Sequence, residues 1–223
     1  MGRFPQPPSN KGSQKWIQRL INEQPEQLNS QIRAKLNLPK DEYIQWLSPL
    51  KTDKYSEYRD KEFIDLLGVK LKKKTLEDFW PRGGPQWDAL GKSRSGKLFL
   101  VEAKSHIKEL ISTMKAKDKD SARRIRRNLQ ETKRFLGSNA EVDWSCGFYQ
   151  YVNRLAHLYI LRQNGLSAHL LFIYFINDFE MKGPPTIHEW KGAIELLHSY
   201  LGIRRRKLQD LVADVFIDID CLK

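Results

Sequence analysis

The sequence predicts an α/β protein of three layers, α/β/α, with helices on both sides of a central mixed sheet, and three kinds of segment carry that reading. The nine-residue run AHLLFIYFI, residues 168–176, is too continuously apolar for a strand with one wet face and predicts a central strand covered on both. Residues 79–106, FWPRGGPQWDALGKSRSGKLFLVEAKSH, break apolar segments with glycine- and proline-bearing turns, as a meander does. Amphipathic helical patterns at residues 121–136 and 187–201 supply the outer layers.

In chain order, residues 1–13 carry prolines, two glycines and no apolar periodicity, which predicts a flexible arm with nothing catalytic in it. From Ser13 as N-cap, Trp16, Ile17, Leu20 and Ile21 recur at helical spacing, and Leu28, Ile32 and Leu36 extend a second helical pattern toward Pro39. Residues 14–52 are therefore expected to form an N-terminal helical extension packed on the core. After WLSPL, residues 53–67 read as a helix ending at Gly68, and VKLKKKTL alternates apolar and basic residues as a strand does. The meander then runs as strand, Gly/Pro turn, strand, polar turn and strand. In the helix at 121–136, Ala122, Ile125, Leu129, Thr132 and Leu136 line one face, with Arg123, Arg124, Arg126 and Arg127 off it. Another helix is expected from about Phe148 to Arg162. The last strand, in LVADVFIDID, puts Asp214, Asp218 and Asp220 on one face and Val215, Ile217 and Ile219 on the other. Residues 53–223 thus read as one domain.

A chain of 223 residues with 40% hydrophobic content is enough for one sizeable core. Its 39 Lys and Arg against 27 Asp and Glu give a net charge of +12, which suits a polyanionic partner. No run approaches the ~18 apolar residues of a membrane span, and the start lacks the apolar stretch of a signal peptide. A cytoplasmic protein with no membrane partner is expected. Two cysteines, Cys146 and Cys221, are too few for a disulfide framework or a thiolate metal site.

The informative constellation is Asp88 on one strand of the meander and Glu102 with Lys104 on the next. Period two places Glu102 and Lys104 on one face, at the end of the apolar row Leu98 and Leu100. Charges beside a buried layer are costly unless they are paired or hold a metal. If Asp88 and Glu102 lie opposite one another, their carboxylates converge. Two converging carboxylates, with water as the other ligands, suit Mg²⁺ or Mn²⁺, and such an ion activates a water and neutralises charge on a phosphoryl oxygen.

This arrangement resembles the PD-(D/E)XK nuclease superfamily, in which Asp88 matches the metal-binding aspartate and Glu102-Ala103-Lys104 the (D/E)XK triplet. The matched order is a helix with a glutamate, a three-stranded meander, then a helix and a further strand, over residues 53–177. Trp87 stands where the superfamily's name has proline. The whole chain resembles stand-alone bacterial members. The resemblance implies a restriction-endonuclease-like fold and Mg²⁺- or Mn²⁺-dependent hydrolysis of phosphodiester bonds in DNA. Asp88 and Glu102 would hold the metal, and Lys104 would orient water and stabilise charge on phosphorus. It also implies a glutamate from the preceding helix, for which Glu57 and Glu62 compete; Glu57 is preferred because it stands 11 positions before Gly68. Dimers are common in the superfamily, which leaves a homodimer open as a partner.

On the later helix Gln150, Arg154 and His157 share a face, opposite Phe148, Val152, Leu155 and Tyr159. Many members carry a glutamine near the metal site there, so Gln150 and Arg154 are candidate nucleic-acid contacts, the competing reading being the polar outer face of a packing helix. Residues 104–134 contain 11 Lys and Arg and four Asp and Glu, a net +7. Beside a phosphodiesterase site such a run would contact a nucleic-acid backbone, which makes Arg123, Arg124, Arg126 and Arg127 candidate contacts. The competing classes are a catalytically silent nucleic-acid- or partner-binding module with the same fold, and a phosphodiesterase acting on RNA or a nucleotide.

Overall fold

A computed structural model describes residues 2–222; Met1 and Lys223, the outermost residues of the expected arm and domain, lie outside them. The chain begins with β1 (Arg3–Phe4), α1 (Gly12–Glu23), α2 (Pro25–Lys35), β2 (Ile44–Ser48), β3 (Glu57–Tyr58), α3 (Asp60–Leu67) and α4 (Leu76–Phe79). It continues with β4 (Ala89–Ser93), β5 (Leu98–Lys104), α5 (Lys119–Phe135), α6 (Tyr149–Gln163), β6 (Ala168–Ile176), α7 (Ile187–Leu201), α8 (Arg205–Leu208) and β7 (Val212–Asp218).

The apolar run of residues 168–176 becomes β6, buried along its whole length, because helices cover both faces of the sheet. Five strands make one open mixed sheet in the order β2-β4-β5-β6-β7. β2, β4 and β5 are antiparallel neighbours, whereas β5, β6 and β7 run parallel. Each parallel step needs a crossover, and α5 with α6, then α7 with α8, supply the two. These helices, with α3 and α4, bury Phe63, Phe79, Leu129, Leu155 and Trp190 against one face, where Leu90, Leu98, Leu100 and Phe172 point. On the other face α1 and α2 lay Trp16, Leu20, Leu28 and Ile32 over Phe99, Val101, Ile173 and Val215.

Residues 14–52 accordingly supply an edge strand and one helical layer, so the sheet crosses the domain boundary expected at residue 53. Gly91 lets the Trp46 ring cross it closely from β2: a Cβ there would stand 3.0 Å from that ring.

Several expectations are corrected. The first strand of the meander is β2, not VKLKKKTL or the residues from Phe79. The VKLKKKTL segment finds its partner in a side chain, Asn164, whose Oδ1 accepts from Lys73 N at 2.7 Å and whose Nδ2 donates to Lys74 O at 3.1 Å. Thr75 then caps α4, accepting from Asp78 N at 3.1 Å. The helix expected over residues 53–67 starts only at Asp60, because Glu57 and Tyr58 pair instead with Phe4 and Arg3. That pairing also lays the expected flexible arm against the body, where Gln6 N bonds Lys54 O at 2.9 Å and Ser9 N bonds the Gln18 side chain at 2.9 Å. Among the described residues no helix is long and apolar enough to cross a membrane.

Candidate active site

The antiparallel ladder of β4 and β5 places the central pair. Ala89 lies opposite Val101, so Asp88, one residue ahead of β4, falls opposite Glu102 and shares its face with Leu90 and Leu100. Asp88 N donates to Val101 O at 3.2 Å, and one Asp88 carboxyl oxygen accepts from Ala103 N at 2.7 Å. The carboxylate thereby extends the ladder where the strand itself ends.

The segment before Asp88 is fixed twice. The backbone N–H groups of Gly83 and Gly84 donate to the Asp60 carboxylate at 3.1 and 2.9 Å, and Trp87 N donates to Tyr58 O at 3.0 Å. Gly84 is tightly enclosed, since a Cβ would stand 3.1 Å from Asp60 and 3.2 Å from His157. The bridge from Trp87 to Tyr58 brings β3 alongside, and with it Glu57. Glu57 is 6% exposed and accepts from Gln86, from Gln14 at 3.1 Å and from Gln6 at 3.4 Å. Glu62 is elsewhere, its carboxylate against the Gly2 backbone, whose N–H holds it below the ordinary carboxylate range.

From the opposite side α6 supplies Gln150 and Arg154. Lys104 Nζ bonds one Glu102 oxygen and reaches Gln150 Oε1 at 3.4 Å. Arg154 takes the other Glu102 oxygen, with Nε and Nη2 each 2.6 Å from Oε2, and Nη2 also donates to Gln86 O at 3.1 Å. Its guanidinium lies over the Trp87 ring, 5.2 Å from the centroid.

The charges act on one another strongly because little water separates them. Asp88 keeps part of its surface, yet enclosure of its carboxyl, then the charges of Glu102 and Glu57, push its proton affinity well above the ordinary range, against the pull of Lys104. Burial works the same way on Glu102, but Arg154 and Lys104 overcome it and hold Glu102 below its usual value. Burial would lower Lys104, and the carboxylates of Glu102 and Asp88 raise it instead. Glu57 is raised, chiefly by burial, with bonds from Gln86 and Gln14 opposing.

Of the residues singled out in the sequence, Glu57, Asp88, Glu102, Lys104, Gln150 and Arg154 thus share one neighbourhood. Glu57 reaches it from a strand, not from the helix on which it was expected. Arg154 and His157 do not lie on an outer polar face: they are 6% and 1% exposed, because α6 is enclosed between the sheet and α5. His157 sits among Phe63, Phe79, Trp80 and Trp87. Arg123, Arg124, Arg126 and Arg127 are exposed on α5 and bond none of these groups. Arg123 pairs with Asp120 at 2.9 Å, Arg124 donates to Glu77 O at 3.0 Å, and Arg123, Arg126 and Arg127 line a shallow basic depression of about 560 Å³ with Lys117 and Lys119. A cleft of about 710 Å³ between α3 and α4 is lined by none of Glu57, Asp88, Glu102 or Lys104.

Sequence reasoning missed Gln6, Gln14 and Gln86, which hold Glu57, since neutral amides have no spacing signature. The role of Arg154 as partner of Glu102 had one available signal, a charged residue set between Val152 and Leu155 in the middle of α6. Among the described residues no three of His, Cys, Asp and Glu stand close enough to cage a metal ion between them. Asp88 and Glu102 are the pair that could hold one, with water as the remaining ligands. Comparison with protein-family models, curated proteins and solved structures finds no match to this chain.

Proposed function

We propose that this chain is a metal-dependent nuclease that hydrolyses phosphodiester bonds in DNA, built on the restriction-endonuclease-like fold of the PD-(D/E)XK superfamily. The observation that carries the reading is the convergence of Asp88, Glu102 and Lys104 on one face at the end of β4 and β5, with Glu57 alongside. Its support in the fold is the antiparallel run β2, β4, β5 followed through helices by a parallel strand.

The donors fit Mg²⁺ or Mn²⁺: oxygen ligands, two carboxylates, and an Asp88 whose repulsion from Glu102 and Glu57 an added divalent charge would relieve. Asp88 and Glu102 would hold the ion, which supplies Lewis-acid polarisation of a phosphoryl oxygen and a more acidic water. The chain's own residues do the rest. Lys104 has three donors, of which Glu102 and Gln150 take two, leaving one for negative charge growing on the phosphoryl group. Glu57, held by three amides, is fixed where it can accept from a water. The exposed arginines of α5 are suited to phosphate contacts, which position a nucleic acid without reading its sequence.

A silent binding module with the same fold is favoured by one observation, that Lys104 and Arg154 already satisfy both oxygens of Glu102. Incubation with supercoiled, linear and single-stranded DNA, and with RNA, with Mg²⁺, Mn²⁺ or EDTA, separates the readings. Metal-dependent cleavage of DNA is expected. Retention of DNA without cleavage under every condition assigns the silent module, and cleavage of RNA alone assigns a ribonuclease.

A further inference from the structure

Glu102 is the residue on which the charges of the site meet. Three carboxylates, Glu57, Asp88 and Glu102, face two cations, Lys104 and Arg154, and both cations bond Glu102. Lys104 is part of the (D/E)XK triplet. Arg154 is not, and it comes from α6, one helical turn beyond Gln150. Its guanidinium is held on three sides: by Glu102 Oε2 at 2.6 Å, by Gln86 O at 3.1 Å and by the face of Trp87. A planar fork that keeps its charge at any ordinary pH is suited to so enclosed a position, where an ammonium would reach fewer acceptors.

We propose that Arg154 is a built-in counter-cation, holding Glu102 in the metal-free protein and competing with the divalent ion for Oε2, so that Arg154 sets the affinity of the site for its metal. The inference rests on the nuclease reading and adds to it the residue that governs metal loading. Nε donates to Oε2 and Nη2 stands 2.6 Å from it, so an ion held by Glu102 through that oxygen would share it with Arg154. A divalent ion held there would lie close to a permanent positive charge in a site with little water, and each would weaken the other's hold on Glu102. Lys104 and Arg154 close on both oxygens of Glu102, and holding a divalent ion there would require one of them to loosen.

The sign separates this role from a supporting one. If Arg154 only orients Glu102 for the metal, its loss weakens metal binding; if it competes, its loss tightens it. Mn²⁺ binding, read from the signal of the free ion by electron paramagnetic resonance without nucleic acid, should be about ten- to a hundred-fold tighter in Arg154→Met than in the parent, the range over which residues around a metal site shift affinity. Equal or weaker binding in Arg154→Met overturns the proposal.

Removing one partner of a buried pair endangers folding. The parent protein therefore carries a second test, with ¹⁵N-labelled arginine and the Nε–H resonance of Arg154 identified by its loss in Arg154→Lys. Adding Mg²⁺ should shift that resonance over the concentrations at which Mg²⁺ displaces Mn²⁺. A resonance unmoved at saturating Mg²⁺ overturns the proposal while leaving the nuclease reading in place. Absence of Mn²⁺ binding in the parent and both variants overturns the two together.

Discussion

Asp88 carries an electrostatic cost in the site, and that cost has a sign that can be measured. Its proton affinity is raised by burial and by Glu102 and Glu57, so the stability it contributes is present below about pH 4, its ordinary value, and is lost as pH rises through the raised one. Asp88→Asn should therefore melt higher than the parent at pH 7.5, with the difference closing toward pH 4, and should cleave no DNA. An inactive variant that also melts lower at pH 7.5 would mean that the carboxylate was structural. If Lys104 acts on charge that develops only during reaction, as proposed, Lys104→Ala should lower turnover by ~10²–10³-fold with little loss of DNA affinity. Equal losses in the two would reduce Lys104 to a plain phosphate contact. Asp88, Glu102 and Lys104 were legible in the sequence because period two and one turn fix their face. The glutamines around Glu57 were not, because Gln6, Gln14 and Gln86 come from three separate segments that no local pattern joins.

Elements differ in how far their own sequence decides them. β6 and α5 were legible, one from continuous apolarity and the other from its stripe of Ala122, Ile125 and Leu129. β2 was not, since Leu47 is the half-buried residue and Ser48 the buried one, so the sequence stops alternating apolar with polar after Trp46, where the register also shifts. β3 depends on partners 53 to 55 residues earlier in the chain, Phe4 and Arg3, and α6 misled because Arg154 and His157 look like a wet face but are enclosed.

Exposed and off the apolar stripe, the arginines of α5 can be changed without touching the core. With about six phosphate contacts, DNA affinity should fall by ~10³-fold or more between about 50 and 200 mM salt. Replacing Arg123, Arg124, Arg126 and Arg127 with glutamine should flatten that slope and weaken all sequences alike, and an unchanged slope would assign the helix to solvent.

On β7, burial raises Asp214 to about 6. Its contribution to stability is then lost between about pH 4 and 6, so Asp214→Asn should stabilise the fold at pH 7.5 by on the order of 1–3 kcal/mol and leave it unchanged below pH 4. A loss of stability at pH 7.5, followed by chemical denaturation, would show that the ionised form is the one the fold needs.

Across the whole molecule, two helical layers serve different ends. α1 and α2 cover one face of the sheet with apolar side chains, whereas the other face passes from the apolar rows of β4 and β5 into charge at Asp88, Glu102 and Lys104. The layer structure followed from β6 being buried on both sides; that the N-terminal helices would form one entire layer did not, because their stripes show only that they pack. The nuclease reading requires the carboxylates at the end of β4 and β5 to hold a metal. A crystal soaked in Mn²⁺ and measured at the manganese absorption edge tests this most directly. It should show one anomalous peak within about 2.0–2.3 Å of oxygens of both Asp88 and Glu102, the distance at which hard cations bind carboxylates. Glu102 still closed on Lys104 and Arg154, with no peak beside it at saturating Mn²⁺, would contradict the account.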